Sequence, residues 1–109
     1  MKIYDLNEKV VFSSEKPIKK HFLNANGFHA ALICLKSGAE IKPHAEDYGV
    51  LLTVLEGKGE FTDSNGTFPL RKNQSMYVKK GEPRGIKSEE DLVVLGIQDR
   101  TKKDWENVG

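Results

Sequence analysis

Short β-rich runs between tight-turn dipeptides are the feature that most restricts the fold of this chain. Asn26-Gly27 and Asn65-Gly66 are typical of two-residue hairpin loops, in which both turn positions need a positive φ. The β-rich runs are Val10–Phe12, Ile18–Leu23, Phe28–Leu35, Val50–Leu55, Gly59–Thr62, Ser75–Val78 and Leu92–Ile97. Many short strands at this spacing predict an all-β sandwich or barrel.

Several of these runs are apolar on both faces. In residues 28–35 the two alternating sets of side chains are both mostly apolar, which is typical of strands buried on both sides. One face fills the interior of a small barrel, so the other face must meet a second sheet or a second subunit. Since a monomer would expose such apolar surface, we expect a homodimer.

Composition and charge favour one globular domain. We expect a single domain over residues 1–109, with N-terminal strands in 1–27, a core at about 28–98 and a tail at 99–109. The formal net charge is +1 and the pI about 7.8, which argues against a nucleic-acid partner. Cys34, the single cysteine, is expected to be a small core hydrophobe. A chain without an intramolecular disulfide, a signal peptide or a long apolar run is expected in the cytoplasm, away from membranes.

Residues 38–57 resemble the first conserved motif of the cupin family. That motif reads glycine, five residues, His-x-His, three or four residues, glutamate, six residues, glycine. Gly38, His44 and Gly57 fall on this pattern. Glu46 stands where the second histidine belongs, and Val50 stands where the glutamate belongs.

Residues 73–88 resemble the second cupin motif in spacing. Only Gly81 keeps its identity, while Asn73 replaces a glycine, Lys79 a proline, Arg84 a histidine and Ser88 an asparagine. The two motifs cover residues 38–88, and the flanking strands extend the likeness to most of the chain. The resemblance implies a cupin-type jelly-roll barrel, also called a double-stranded β-helix.

The substitutions at the motif positions bear on metal binding. If Arg84 occupies the family's histidine position, a dication about 5 Å away is repelled by roughly 6–7 kcal/mol at an effective dielectric of about 20. Catalytic zinc-type sites use about three protein ligands, and His44 and Glu46 supply two at most. We therefore expect no tightly bound metal and no other cofactor.

The leading hypothesis is a metal-free cupin that binds a small organic molecule in the barrel mouth, with Arg84 suited to a carboxylate. The candidate ligand-binding residues are His29, His44, Glu46, Val50, Tyr77 and Arg84. The alternative is a metal-dependent enzyme of the dioxygenase or isomerase type, in which His44, Glu46 and an inward-facing His29 hold a divalent transition metal. A domain that serves only association or regulation is a third possibility, so no catalytic residue is assigned.

Glu46 and Arg84 are expected to contact each other, because both replace histidines that converge on one metal in the family. Gln98 is a weaker candidate for the cavity, with a core or rim position expected. The lysine pair at residues 19–20 and His21 are expected on a solvated face.

Overall fold

The computed structural model describes residues 1–100, which form nine strands in two antiparallel sheets. The strands are β1 (Ile18–Asn24), β2 (His29–Leu35), β3 (Glu40–Ala45), β4 (Val50–Glu56), β5 (Lys58–Asp63), β6 (Gly66–Arg71), β7 (Ser75–Val78), β8 (Pro83–Ser88) and β9 (Leu92–Gln98). Sheet A has the order β1-β2-β9-β4-β7, and sheet B has the order β3-β8-β5-β6. The predicted all-β jelly roll is confirmed. The predicted tail falls mostly on residues 101–109, outside the described part.

Three strands, β3, β6 and β8, were not among the predicted runs. β3 contains Pro43 and β6 contains Pro69, and these are the two edge strands of sheet B. Proline is tolerated there because an edge strand has a side without a hydrogen-bonded neighbour. Both strands are also mostly exposed, so they lack the apolar pattern by which a buried strand is found.

The predicted strand at Val10–Phe12 is wrong. Leu6–Lys9 forms one turn of 3-10 helix, and residues 10–17 that follow are not in a strand. Val10 and Phe12 instead pack on the outer face of sheet A, against a buried cluster that includes Leu32 and Cys34. In residues 1–100 no helix is long and apolar enough to cross a membrane.

The core lies between the two sheets and is filled by alternate residues of their strands. Phe61 of sheet B and Leu35 of sheet A are fully buried there, with Val54, Val78, Leu92 and Val94. All seven residues of β2 are buried, which confirms the prediction of strands covered on both faces. The outer face of β2 is covered by the N-terminal segment of the same chain rather than by a second sheet.

The glycine positions of the two motifs mark left-handed backbone. Gly38, Gly57 and Gly81 have φ of +87°, +82° and +83°, and Asn73, which replaces the remaining glycine, has φ of +71°. Asparagine is among the few residues that adopt this conformation readily, so the replacement keeps the turn. At Gly57 a Cβ would also overlap the carbonyl oxygen of Asp91. In the two Asn-Gly dipeptides only the glycine has positive φ, so the expected turn geometry is wrong at the asparagines.

A histidine pair lies at the start of β2, on the inner face of sheet A. His29 is 1% exposed, and its Nε2 lies 2.7 Å from Nδ1 of His21, which sits on the neighbouring strand β1. One of the two nitrogens must donate and the other accept. Burial, followed by the charges of His21 and Arg100, lowers the pKa of His29 to about 4. His29 is therefore neutral at pH 7, and His21 is not merely a solvated side chain.

This lowered pKa makes the stability of the fold depend on pH. His29 has a pKa of about 4 in the folded chain and 6.5 when unfolded, so the unfolded chain binds more protons between these values. The stabilisation is present above pH 6.5 and is lost as the pH falls towards 4. We expect the free energy of unfolding to fall by about 3 kcal/mol from pH 7 to pH 4 through His29.

Urea unfolding of the parent and of His29→Gln at a series of pH values measures this contribution. The variant should lack that part of the pH dependence. Parallel pH profiles for the two proteins would contradict the assignment.

Candidate ligand-binding site

A small cavity opens between the two sheets at one end of the barrel. Its volume is about 30 Å³, which is room for roughly two water-sized groups. The polar residues that line it are Lys19, His44, Tyr48, Arg84 and Gln98. Apolar side chains from both sheets, among them Ile33, Leu52 and Ile86, form the rest of the wall.

Strand register brings the motif positions to this cavity. His44 of β3 and Arg84 of β8 are directly paired in sheet B, and Val50 of β4 is paired with Gln98 of β9 in sheet A. All four residues line the cavity from facing sheets. Three of the four positions that hold metal ligands in the family motifs therefore meet here, although only His44 keeps a ligand side chain.

The fourth position, Glu46, lies beside the cavity and orients His44. Its Oε1 lies 2.8 Å from Nδ1 of His44, and both side chains are a little over one-third exposed. Since a carboxylate can only accept a hydrogen bond, Nδ1 of the histidine is the donor. This contact holds the imidazole ring of His44 in one orientation at the cavity wall.

Arg84 is 5% exposed and is held by backbone carbonyls. Its Nη2 donates to the carbonyl oxygens of Tyr48, Lys79 and Glu82, each at 3.0 Å, and its Nε donates to that of Glu82 at 3.2 Å. Its Nη1 is buried and has no hydrogen-bond partner among residues 1–100. The guanidinium group is thus rigidly placed, with one nitrogen left over.

The predicted contact between Glu46 and Arg84 is wrong. Glu46 binds His44 instead, and in the described part of the chain Arg84 forms no salt bridge. The carbonyls of the β3–β4 loop and of the turn before β8 surround the guanidinium and take the hydrogen bonds that a carboxylate would have accepted. The charge of Arg84 consequently has no carboxylate partner in the described part of the chain.

Positive charge collects around the ring of Tyr48. The guanidinium carbon of Arg84 lies 5.1 Å from the ring centroid, and that of Arg100 lies 4.3 Å from it. Lys19 is exposed at the cavity mouth, where partial desolvation lowers the pKa of its ammonium group. Glu46 opposes this shift, whereas the charges of Arg100 and Arg84 add to it. The charges of Lys19, Arg84 and Arg100 thus lie close together. The carboxylate of Asp99, which accepts hydrogen bonds from the Gly49 N–H and the Tyr77 hydroxyl, lies at the same end of the barrel as that of Glu46.

Three of the predicted ligand-binding residues do not line the cavity, namely Glu46, which lies beside it, Tyr77 and His29. Tyr77 is 53% exposed on the outer face of sheet A, opposite Leu51, and its hydroxyl donates to Asp99 at 2.7 Å. Tyr77 directly precedes Val78 on β7, so its side chain lies on the opposite face of the sheet from Val78, which faces the core. His29 faces inward but bonds His21 rather than joining His44.

Lys19 and Tyr48 line the cavity but were not predicted there, and Gln98 was ranked too low. Gln98 is 6% exposed, and its Oε1 has no partner among residues 1–100. Strand phase could have found it, since it follows the buried Val94 and Gly96 on alternate positions of β9. Tyr48 lies in the first motif between the positions of Glu46 and Val50, which is a weaker signal.

The donor set of the site does not fit a metal ion. In the part of the chain that the structure describes, no three His, Cys, Asp or Glu side chains form a group that could hold one. His44 and Glu46 bond each other, and the third ligand that the alternative required, His29, is paired with His21.

Comparison with solved structures gives the same architecture in other proteins. An RmlC-like cupin protein from Desulfovibrio desulfuricans superposes with a TM-score of 0.83 at 24% identity, covering 91% of this chain and 96% of that one. KdgF from Halomonas sp. superposes with a TM-score of 0.78 at 15% identity, covering 95% and 99%. At these identities the likeness concerns the fold alone.

A third solved structure is an uncharacterised conserved protein with a double-stranded β-helix domain from Klebsiella pneumoniae. It has a TM-score of 0.82 and 23% identity, and the match covers 91% of this chain and 90% of that one. Comparison with curated proteins found no match. The family model for the cupin domain matches residues 31–97, which are 67 of the 109 residues. The chain therefore belongs to the cupin family.

Proposed function

We propose that this cupin binds a small organic anion in the cavity through a carboxylate or similar planar oxyanion, without a tightly bound metal. The observation that carries the proposal is the buried Nη1 of Arg84, which has no partner among residues 1–100. An unpaired buried donor on a charged group is costly, and a ligand oxyanion would satisfy it. A rigid guanidinium is also well matched to planar oxyanions.

Charge and size support the same ligand class. Three cations, Lys19, Arg84 and Arg100, lie at this end of the barrel. The carboxylates of Glu46 and Asp99 are engaged by His44 and Tyr77, so the local potential favours an anion. A cavity of about 30 Å³ admits a head group rather than a whole metabolite. The rest of the ligand would then extend past Lys19 into the cavity mouth.

A metal-dependent enzyme of the dioxygenase or isomerase type is less well supported. It would need a third ligand beside His44 and Glu46, and it would place a dication near the uncompensated charge of Arg84. A purely associating or regulatory domain would not need a buried arginine with an unpartnered nitrogen beside a cavity. We keep the cytoplasmic location as part of the proposal, because Cys34 is buried and free.

Arg84→Met should weaken the binding of acetate by at least about tenfold, because a charge-assisted hydrogen bond contributes about 1.5–3 kcal/mol. Titration of acetate against isotope-labelled protein, followed by NMR chemical shifts, measures this. Lys87→Met is the matched control, since Lys87 is an exposed cation on the same strand. If Arg84→Met does not fold, Arg84→Lys keeps the charge without the planar fork and should weaken binding. Equal affinities in the parent and both Arg84 variants would sink the proposal.

We further propose that the chain forms a homodimer through the uncovered part of the outer face of sheet A. The N-terminal segment covers this face near β2, but Leu51 of β4 and Tyr77 of β7 lie side by side and are 39% and 53% exposed. Ile97 of β9 is paired with Leu51 and continues the same row. A two-fold dimer would place this row against its own copy.

Light scattering at micromolar concentration should give twice the monomer mass of 12.2 kDa. Leu51→Glu should shift the mass to the monomer value, because it places two carboxylates in the interface. Phe68→Glu is the control, since Phe68 is 41% exposed on the other sheet and should leave the dimer intact. A monomer mass for the parent protein contradicts the dimer, and dissociation by Phe68→Glu alone would move the interface to sheet B.

A further inference from the structure

Two buried polar atoms of opposite hydrogen-bond character lie on residues that line the cavity. Nη1 of Arg84 can only donate, and Oε1 of Gln98 can only accept. The two side chains are 5% and 6% exposed, and neither atom has a hydrogen-bond partner among residues 1–100. Unpartnered buried groups are rare in folded proteins, so two of them on one small cavity call for a common explanation.

The two residues reach the cavity from different sheets. Arg84 lies on β8 of sheet B, and Gln98 lies on β9 of sheet A. Gln98 is paired with Val50, whose side chain has no hydrogen-bonding atom. Gly96, the preceding residue on the same face of β9, also lines the cavity and adds no side chain to it. Neither Val50 nor Gly96 therefore offers a side-chain donor to Oε1 of Gln98.

The size of the cavity limits how a ligand can satisfy both atoms. About 30 Å³ holds roughly two water-sized groups. A carboxylate oxygen that accepts from Arg84 occupies one of these places. The group that donates to Gln98 must then be attached within a bond or two of the carboxylate.

We infer that the ligand is a small 2-hydroxy acid, whose carboxylate accepts from Nη1 of Arg84 and whose 2-hydroxyl donates to Oε1 of Gln98. This inference rests on the proposed anion-binding function and narrows it. A plain carboxylate leaves Oε1 of Gln98 unpaired. A second carboxylate in place of the hydroxyl would bring acceptor oxygens against an acceptor, so oxalate should bind no better than acetate.

Glycolate and acetate differ by this single hydroxyl and are the matched probes. NMR titration of the parent protein should give an affinity for glycolate about five- to tenfold higher than that for acetate, the gain of one buried hydrogen bond. In Gln98→Met, which keeps the length of the side chain but removes the acceptor, the ratio should fall to about one while acetate binding persists. Glycolamide, which lacks the charge, should bind more weakly than glycolate.

The outcomes separate this inference from the proposed function. Equal affinities for glycolate and acetate in the parent protein, with acetate binding still dependent on Arg84, overturn the 2-hydroxy acid and leave anion binding intact. A preference for glycolate that survives Gln98→Met overturns the role of Gln98. Failure of every carboxylate to bind the parent protein overturns both. The comparison of glycolate with acetate needs no variant, so it stands even if Gln98→Met does not fold.

Discussion

A buried guanidinium group bonded only to backbone carbonyls is the interaction on which this end of the barrel depends. Arg84 ties the β3–β4 loop, through Tyr48, to the turn that precedes β8, through Lys79 and Glu82. Carbonyl dipoles stabilise a cation, but they do not neutralise it. A charge held in this way stays available to a mobile anion, whereas a carboxylate partner from the protein would have cancelled it.

The pairing of His44 with Glu46 completes this arrangement. The carboxylate that could have neutralised Arg84 is 2.8 Å from an imidazole nitrogen instead, and this contact also sets the orientation of the histidine. Two positions that hold metal ligands in the family thus bond each other, and a third position, that of Arg84, carries a permanent positive charge. The same replacements that change the family's ligand side chains leave a positive, partly apolar cavity, which is the basis of the proposed anion binding.

The sequence predicted the fold through the spacing of its motifs and through its apolar pattern. The motif glycine positions Gly38, Gly57, Gly81 and Asn73 all have left-handed backbone, and the two-sided burial of β2 follows from its apolar pattern. The asparagines of the two Asn-Gly turns lack the positive φ that was expected of them. The exposed edge strands β3 and β6 carry no such pattern. Val10–Phe12 shows that an apolar run can cover a sheet without joining it.

The site could be predicted only as a set of positions. Motif spacing brought His44, Val50 and Arg84 to one cavity, because strand register follows from the spacing. Which polar groups then bond each other depends on distances of a few ångströms between loops. The sequence therefore could not predict that Arg84 bonds backbone carbonyls or that Glu46 bonds His44.

A well-resolved crystal structure of the protein purified without added metal, combined with elemental analysis of the same sample, distinguishes anion binding from metal binding at this site. We expect no stoichiometric transition metal. We also expect a bound anion or ordered water within hydrogen-bond distance of Nη1 of Arg84. About one zinc, manganese, iron or nickel ion per chain, bound by His44 and lost in His44→Ala, would contradict it.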